Sequence, residues 1–162
     1  PKHAIETFMS RVNLLGSKVG PIIFQLPPEW EFSLQRLDDF LIALPDNHRY
    51  VFEFRDRGWW NDEVYKILKR YNAAFCFFDF GGTVSPREIT ADFVYIRLHG
   101  PGEAHNRQYD TTVLQEWKQS ILDWRKQGIE VFCYFNNDLN GYAALDAERM
   151  VKLINEPENA EV

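Results

Sequence analysis

The chain has 162 residues, enough to bury a sizeable core and few enough for one domain over 1–162. Hydrophobic residues make up 45% and aromatic residues 15%, which excludes a disordered or low-complexity chain. A net charge of −6 excludes general nucleic-acid binding, which needs a basic surface to release counterions, but leaves room for a local cationic pocket.

The chain opens on Pro1 rather than Met, so a fragment or processed product is expected. No signal peptide follows, and no apolar stretch approaches the roughly 18 residues of a membrane span. A cytoplasmic protein without membrane contacts is the expectation. Ile5, Phe8, Val12 and Leu15 then fall at helical spacing and predict a first helix, closed by Gly16. "PIIFQLPP" (21–28), a short apolar run between prolines, predicts a buried strand. Leu34, Leu37, Leu41 and Leu44 predict a second helix, with Ser33 as its N-cap.

"YVFEFR" (50–55) predicts the second strand. Asn61 is placed to cap a helix whose apolar face is Val64, Ile67, Leu68 and Tyr71. "AAFCFFDF" (73–80) and "FVYIRLHG" (93–100) predict the third and fourth strands, separated by a loop through Gly81 and Gly82. Thr112 and Gln115 form a capping-box pattern ahead of Leu114, Trp117, Ile121 and Trp124, a helical face that stops at Gly128. Trp117 and Trp124 are therefore expected in the core. "EVFCYF" (130–135) predicts the fifth strand. A last helix is expected to turn Ala143, Ala147, Met150, Val151 and Ile154 inward.

Apolar strands alternating with amphipathic helices predict an α/β fold with a parallel sheet covered by helices. Neither GxGxxG nor GxxxxGK[ST] occurs, so the usual dinucleotide and phosphate-loop fingerprints are absent and a barrel-like arrangement is preferred. No cofactor and no metal site is predicted.

Ligands of parallel α/β folds bind at the C-terminal ends of the strands. Those ends supply Gln25, then Glu53 and Arg55, then Asp79, then Arg97 and His99, and last Tyr134, Asn136, Asn137 and Asp138. Side chains alternate faces along a strand, so Glu53 pairs with Arg55, Arg97 with His99, and Tyr134 with Asn136, while Phe52, Phe54, Ile96, Leu98, Cys133 and Phe135 face the helices. If the sheet curls, the polar groups converge at its mouth. Two readings of them stay open. In one, Glu53 pairs with Arg55 or Arg97 as a structural plug, since buried arginines are tolerated only when paired. In the other, Arg55 and Arg97 clamp an anion, because guanidinium forks suit carboxylate and phosphate. Asp79 reads equally as a cap of the following loop, and Asn136, Asn137 and Asp138 read equally as turn formers.

Cys76 and Cys133 sit in apolar runs without partners at metal-ligand spacing and are expected to be inert buried thiols. The same alternation predicts that both face the helix layer. Separated by two strand spacings, roughly 9 to 10 Å, they lie too far apart for an unstrained disulfide.

"FQLPP", "EFRDRGWW", "YIRLHGP" and "YFNNDLNGYA" resemble, in order and spacing, motifs of the YecE-like family, also called domain of unknown function 72. The resemblance runs from about Phe8 to Ile154. It implies a variant of the TIM barrel with its polar motifs at the strand ends, of which this chain would be the C-terminal two-thirds, lacking N-terminal strands. The two outermost strands would then carry open edges suited to self-association. Where the family usually has an asparagine before the alanine of the last helix, this chain has Asp146 before Ala147.

Three functions follow as expectations. The first is a site for a small anionic ligand, phosphorylated or carboxylated. Arg55 and Arg97 would hold it, with Tyr134, Asn136, Asn137 and Gln25 lining the site. His99 would serve as acid or base, oriented by Glu53 or Asp79. The second is hydrolysis of a glycosidic or phosphodiester bond by the carboxylates Glu53 and Asp79 or by a metal. The third is a non-catalytic binding or scaffold module whose polar interior is structural.

Overall fold

A computed structural model of the chain describes residues 2–102 and 107–156; Pro1 lies outside them. The elements run α1 (Lys2–Val12), β1 (Ile22–Leu26), α2 (Leu34–Ala43), β2 (Tyr50–Phe54), α3 (Asp62–Arg70), β3 (Ala74–Phe80), β4 (Thr83–Val84), β5 (Phe93–Leu98), α4 (Thr111–Lys126), β6 (Glu130–Phe135) and α5 (Tyr142–Asn155). The strand order is β1-β2-β3-β5-β6, with the two-residue β4 folded back antiparallel on β3. The expected α/β alternation of a TIM-like fold is present, and β4 is an addition to it. Among the described residues no helix is long and apolar enough to cross a membrane.

Two compact units divide the chain: Pro1–Cys76 with Glu88–Asp92, and Phe77–Arg87 with Phe93–Val162. The cut falls inside β3.

In the first unit β1 and β2 pair in parallel over five residues, and β3 joins β2 in parallel at Val51↔Ala74 and Phe52↔Phe75. Two expected caps form. Ser33 Oγ accepts from the Arg36 amide, and Asn61 Oδ1 accepts from the amides of Glu63 and Val64, satisfying helix donors that would otherwise lack partners. Phe24 meets Phe40 of α2 edge-on at 4.9 Å, Phe40 meets Phe52 at 6.0 Å, and Trp59 stacks on Phe54 at 5.0 Å. These rings form the layer between strands and helices and mark which face of β1 and β2 is apolar. The buried residues of α1 are Ile5 and Met9, whereas Phe8 is partly exposed.

In the second unit β5 and β6 pair in parallel over six residues, from Phe93↔Glu130 to Leu98↔Phe135. Ile96 and Leu98 are buried, together with Leu114, Trp117, Ile121 and Trp124 of α4, as their spacing requires. The Thr112/Gln115 capping box does not form: α4 begins at Thr111, and Asp110 takes the N-cap position without a side-chain bond. In α5 the inward face differs from expectation. Asp146 and Met150 are its buried residues, while Val151 is exposed.

Candidate functional site: the polar strand ends

In the first unit the aromatic layer uses Phe24, Phe52 and Phe54, so alternation turns Gln25, Glu53 and Arg55 to the opposite face. Gln25 stands beside Glu53 in the strand register and is exposed. Glu53 is wholly buried. Its Oε1 forms an ion pair with Nε of Arg55, whose side chain is only 8% exposed. Its Oε2 accepts a long hydrogen bond from Cys76 Sγ at 3.7 Å. A buried carboxylate is tolerated when neutralised by such contacts, and this one is.

The Cys76 contact overturns one expectation. Cys76 shares the polar face with Glu53, and it is Phe75 that reaches the helix layer, meeting Tyr65 of α3 edge-on at 5.3 Å. Both cysteines are free thiols. Burial pushes the Cys133 thiol up to about 12, the behaviour of an inert cysteine.

In the second unit Phe77 packs on Trp124 of α4 at 5.5 Å, which makes it a helix-side residue. Alternation then places Asp79 on the helix side too, and its surroundings agree. The Tyr109 hydroxyl is hydrogen-bonded to the Asp79 carboxylate and accepts from the Gly100 amide at 2.8 Å. Burial and the charge of Asp79 hold the Tyr109 phenol well above its ordinary pKa. Asp79 is therefore corrected from a member of the polar face to a tether of the loop after β5. Gly100 adopts φ 101, a conformation suited to glycine, as it turns the chain away from β5.

Arg97 lies on the other face of β5. Tyr95, two residues earlier, stacks on Tyr134 with centroids 4.9 Å apart and planes 26° apart, and on Phe132 at 6.4 Å. Arg97 is the register partner of Tyr134, and its Nε donates to Asn136 Oδ1 at 3.2 Å. The Asn136 amide extends the ladder past β6 by donating to the Leu98 carbonyl at 2.7 Å. His99 is buried, its ring edge-on to Phe80 at 5.2 Å, and its amide donates to the Asp79 carbonyl. The structure thus gathers Arg97, Tyr134 and Asn136 in one register position and the step beyond it.

Asn137 behaves differently from Asn136. It is fully buried, and its Nδ2 donates to the Arg107 carbonyl at 2.9 Å and to Asp146 Oδ2 at 2.8 Å; its Oδ1 has no hydrogen-bond partner among the described residues. Asp146 Oδ2 also accepts from the Tyr109 amide at 3.0 Å, and Oδ1 from Arg149 at 2.8 Å. Arg149 in turn donates to the Tyr109 carbonyl and to Thr111 Oγ1. This network fastens the segment from Arg107 to Thr111 onto α5. Sequence reasoning missed Tyr109 and Arg149, and singled out Asp146 without giving it a role. The one available signal was a charged residue, Asp146, set inside the apolar face of a helix.

The second hypothesis receives little from this geometry. The Glu53 carboxylate is engaged by Arg55 and Cys76, and that of Asp79 by Tyr109. The described residues contain no group of three His, Cys, Asp or Glu side chains arranged to hold a metal ion.

Comparison with known proteins bears on the fold. A DUF72 family protein from Thermotoga maritima superposes with a TM-score of 0.86 at 24% identity, covering 96% of this chain and 66% of that one. Two structures of a DUF72 family protein from Enterococcus faecalis give TM-scores of 0.81 and 0.78 at 18% and 19% identity, covering 98% and 94% of this chain and 67% and 68% of theirs. The chain thus spans about two thirds of the length of these structures, and at such identities the likeness concerns the fold alone. No curated protein matches the chain. The family model described as protein of unknown function DUF72 matches residues 1–161, and the chain belongs to the DUF72 family.

Proposed function

We propose that the chain binds a small anion, phosphate- or carboxylate-bearing, at the C-terminal ends of β5 and β6, with Arg97 as the residue that holds it. The observation that carries this reading is the placement of Arg97. Its guanidinium is half-buried at a strand end and oriented through Nε by the neutral amide of Asn136. A planar cation fixed in this way presents its donors in a defined direction, which suits two-point recognition of an oxyanion. Asn136 orients the arginine, and Tyr134 supplies a wall beside it. His99 follows Arg97 at the end of the same strand and is the group that would transfer a proton if the ligand is turned over.

Arg55 has no part in this reading, because its guanidinium neutralises buried Glu53. A cytoplasmic setting belongs to the proposal, since two free thiols suit a reducing compartment. So does self-association through β1 and β6, which stand at the two ends of the strand order.

Calorimetric titration of the chain with inorganic phosphate and with small dicarboxylates tests the reading. Saturable binding that is lost in Arg97→Gln and retained in Gln25→Ala is expected. Binding that survives Arg97→Gln would move the site elsewhere.

A further inference from the structure

We propose that Asn140 is a site of spontaneous deamidation, at a rate set by the turn that leads into α5. Asn140 and Gly141 form the one Asn-Gly pair in the sequence. Glycine has no Cβ, so its amide nitrogen meets little hindrance at the side-chain carbonyl carbon of the asparagine before it. The reaction needs only water. The Gly141 nitrogen bonds to Asn140 Cγ and closes a five-membered succinimide. The Cγ–Nδ2 bond breaks, and the Gly141 amide proton leaves with Nδ2 as ammonia. Water then opens the ring at either carbonyl and leaves aspartate or isoaspartate, with no change in oxidation state.

The structure supplies the reacting pair and a restraint on it. Both residues are exposed, and no hydrogen bond holds the Asn140 side chain among the described residues. Asn140 has φ 57 and ψ 17, and Gly141 has φ 74. Ring closure requires the Gly141 nitrogen to eclipse Cβ of Asn140, which happens at a ψ of about −120°, the value at the first central position of a type II′ turn. That position also has positive φ, so Asn140 already has the right φ and lies roughly 140° away in ψ. Rotation of the single peptide plane between Asn140 and Gly141 covers the difference, and glycine accepts the compensating change in its own φ. Two backbone bonds oppose the rotation. The Gly141 amide donates to the Asp138 carbonyl at 3.0 Å, and the Tyr142 amide donates to the Leu139 carbonyl. The first must break before the nitrogen can turn toward Cγ, so opening of this turn gates the chemistry.

The test follows isoaspartate formation at mildly alkaline pH in three samples: the folded full chain, the full chain in denaturing urea, and the peptide NNDLNGYAA, residues 136–144. Peptide mapping by mass spectrometry locates the modified residue. Modification is expected at Asn140 in all three, about two- to tenfold slower in the folded chain than in the peptide, the factor that one net hydrogen bond supplies. In urea the chain should match the peptide. Asn140→Gly keeps the positive φ but removes the reacting amide, and should abolish the modification in a chain whose melting curve matches wild type. A folded chain that reacts as fast as the peptide would overturn the restraint by the turn. A folded chain still unmodified when the peptide is fully converted would overturn the placement of Asn140 one peptide rotation from closure. Isoaspartate that forms first at another asparagine of the folded chain, or persists undiminished in Asn140→Gly, would overturn the site.

Discussion

The polar strand ends of the two units solve the same problem in opposite ways. In the first, Glu53 and Arg55 are both buried and neutralise each other, with Cys76 on the second carboxylate oxygen. In the second, Arg97 is oriented by a neutral amide, and its register partner Tyr134 reaches solvent. Arginine at a strand end is thus no functional signal in itself. Burial and the partner that fixes it separate the buried ion pair of the first unit from the half-buried arginine on which the proposed site rests.

The largest effect should come from breaking the plug. Glu53→Gln leaves the Arg55 charge buried and should cost about 3–5 kcal/mol in urea unfolding, as removal of one partner from a buried ion pair does. If the loss is below ~1 kcal/mol, the first unit's pair is not the buried plug described. Replacing Glu53 and Arg55 together with leucine and methionine should recover most of the loss, because no lone charge remains.

The Asp146 network comes next. Asp146→Ala removes the acceptor of the Tyr109 amide and one acceptor each from Asn137 and Arg149, and should cost about 2–3 kcal/mol at the level of a hydrogen-bonded charged group. Hydrogen exchange at the Tyr109 amide should accelerate with it. Unchanged exchange there would show that α5 does not fasten this segment.

A smaller effect is expected at Tyr109, and it depends on pH. The fold keeps the phenol protonated, so its folded pKa lies above the unfolded value near 10. This contribution is complete below pH 10 and is lost as pH rises above it, because the unfolded chain then releases a proton that the folded chain retains. Tyr109→Phe should remove that part of the alkaline decline while costing about 1 kcal/mol at neutral pH for the lost hydroxyl bonds. An alkaline limb identical in wild type and variant would contradict the assignment. The smallest effect belongs to the proposed ligand surface: Tyr134→Leu should change stability by no more than about 0.5 kcal/mol, as exposed substitutions do.

Much of this is legible in the residues themselves. The apolar runs place the five long strands nearly to the residue, and Ser33 and Asn61 act as caps because short polar side chains ahead of apolar periodicity have few other uses. Alternation and the cost of a lone buried charge offer a Glu53 pair with Arg55 or Arg97 as one of two readings, and the pair with Arg55 is the one that forms. The face of β3 did not follow. "AFCFFDF" is apolar at almost every position, so the sequence contains no alternation from which to set the phase, and Cys76 and Asp79 were each assigned to the wrong side. The short β4 escaped because two residues carry no period. Asp146 stands out in the sequence, but its network does not: its partner Tyr109 lies 37 residues away and no local rule links them. In α4 the cap moves two residues ahead of the Thr112 capping-box pattern, to Asp110, and the first helical residue, Thr111, is held by Arg149.

The most direct test of the contrast between the two strand ends is a phosphate titration followed by nuclear magnetic resonance of the arginine side-chain Nε–Hε groups, with the Arg55 and Arg97 signals assigned from Arg55→Lys and Arg97→Lys. The account predicts that the Arg97 signal shifts and saturates while the Arg55 signal, locked on Glu53, stays in place. A saturating shift at Arg55 with none at Arg97 would contradict it.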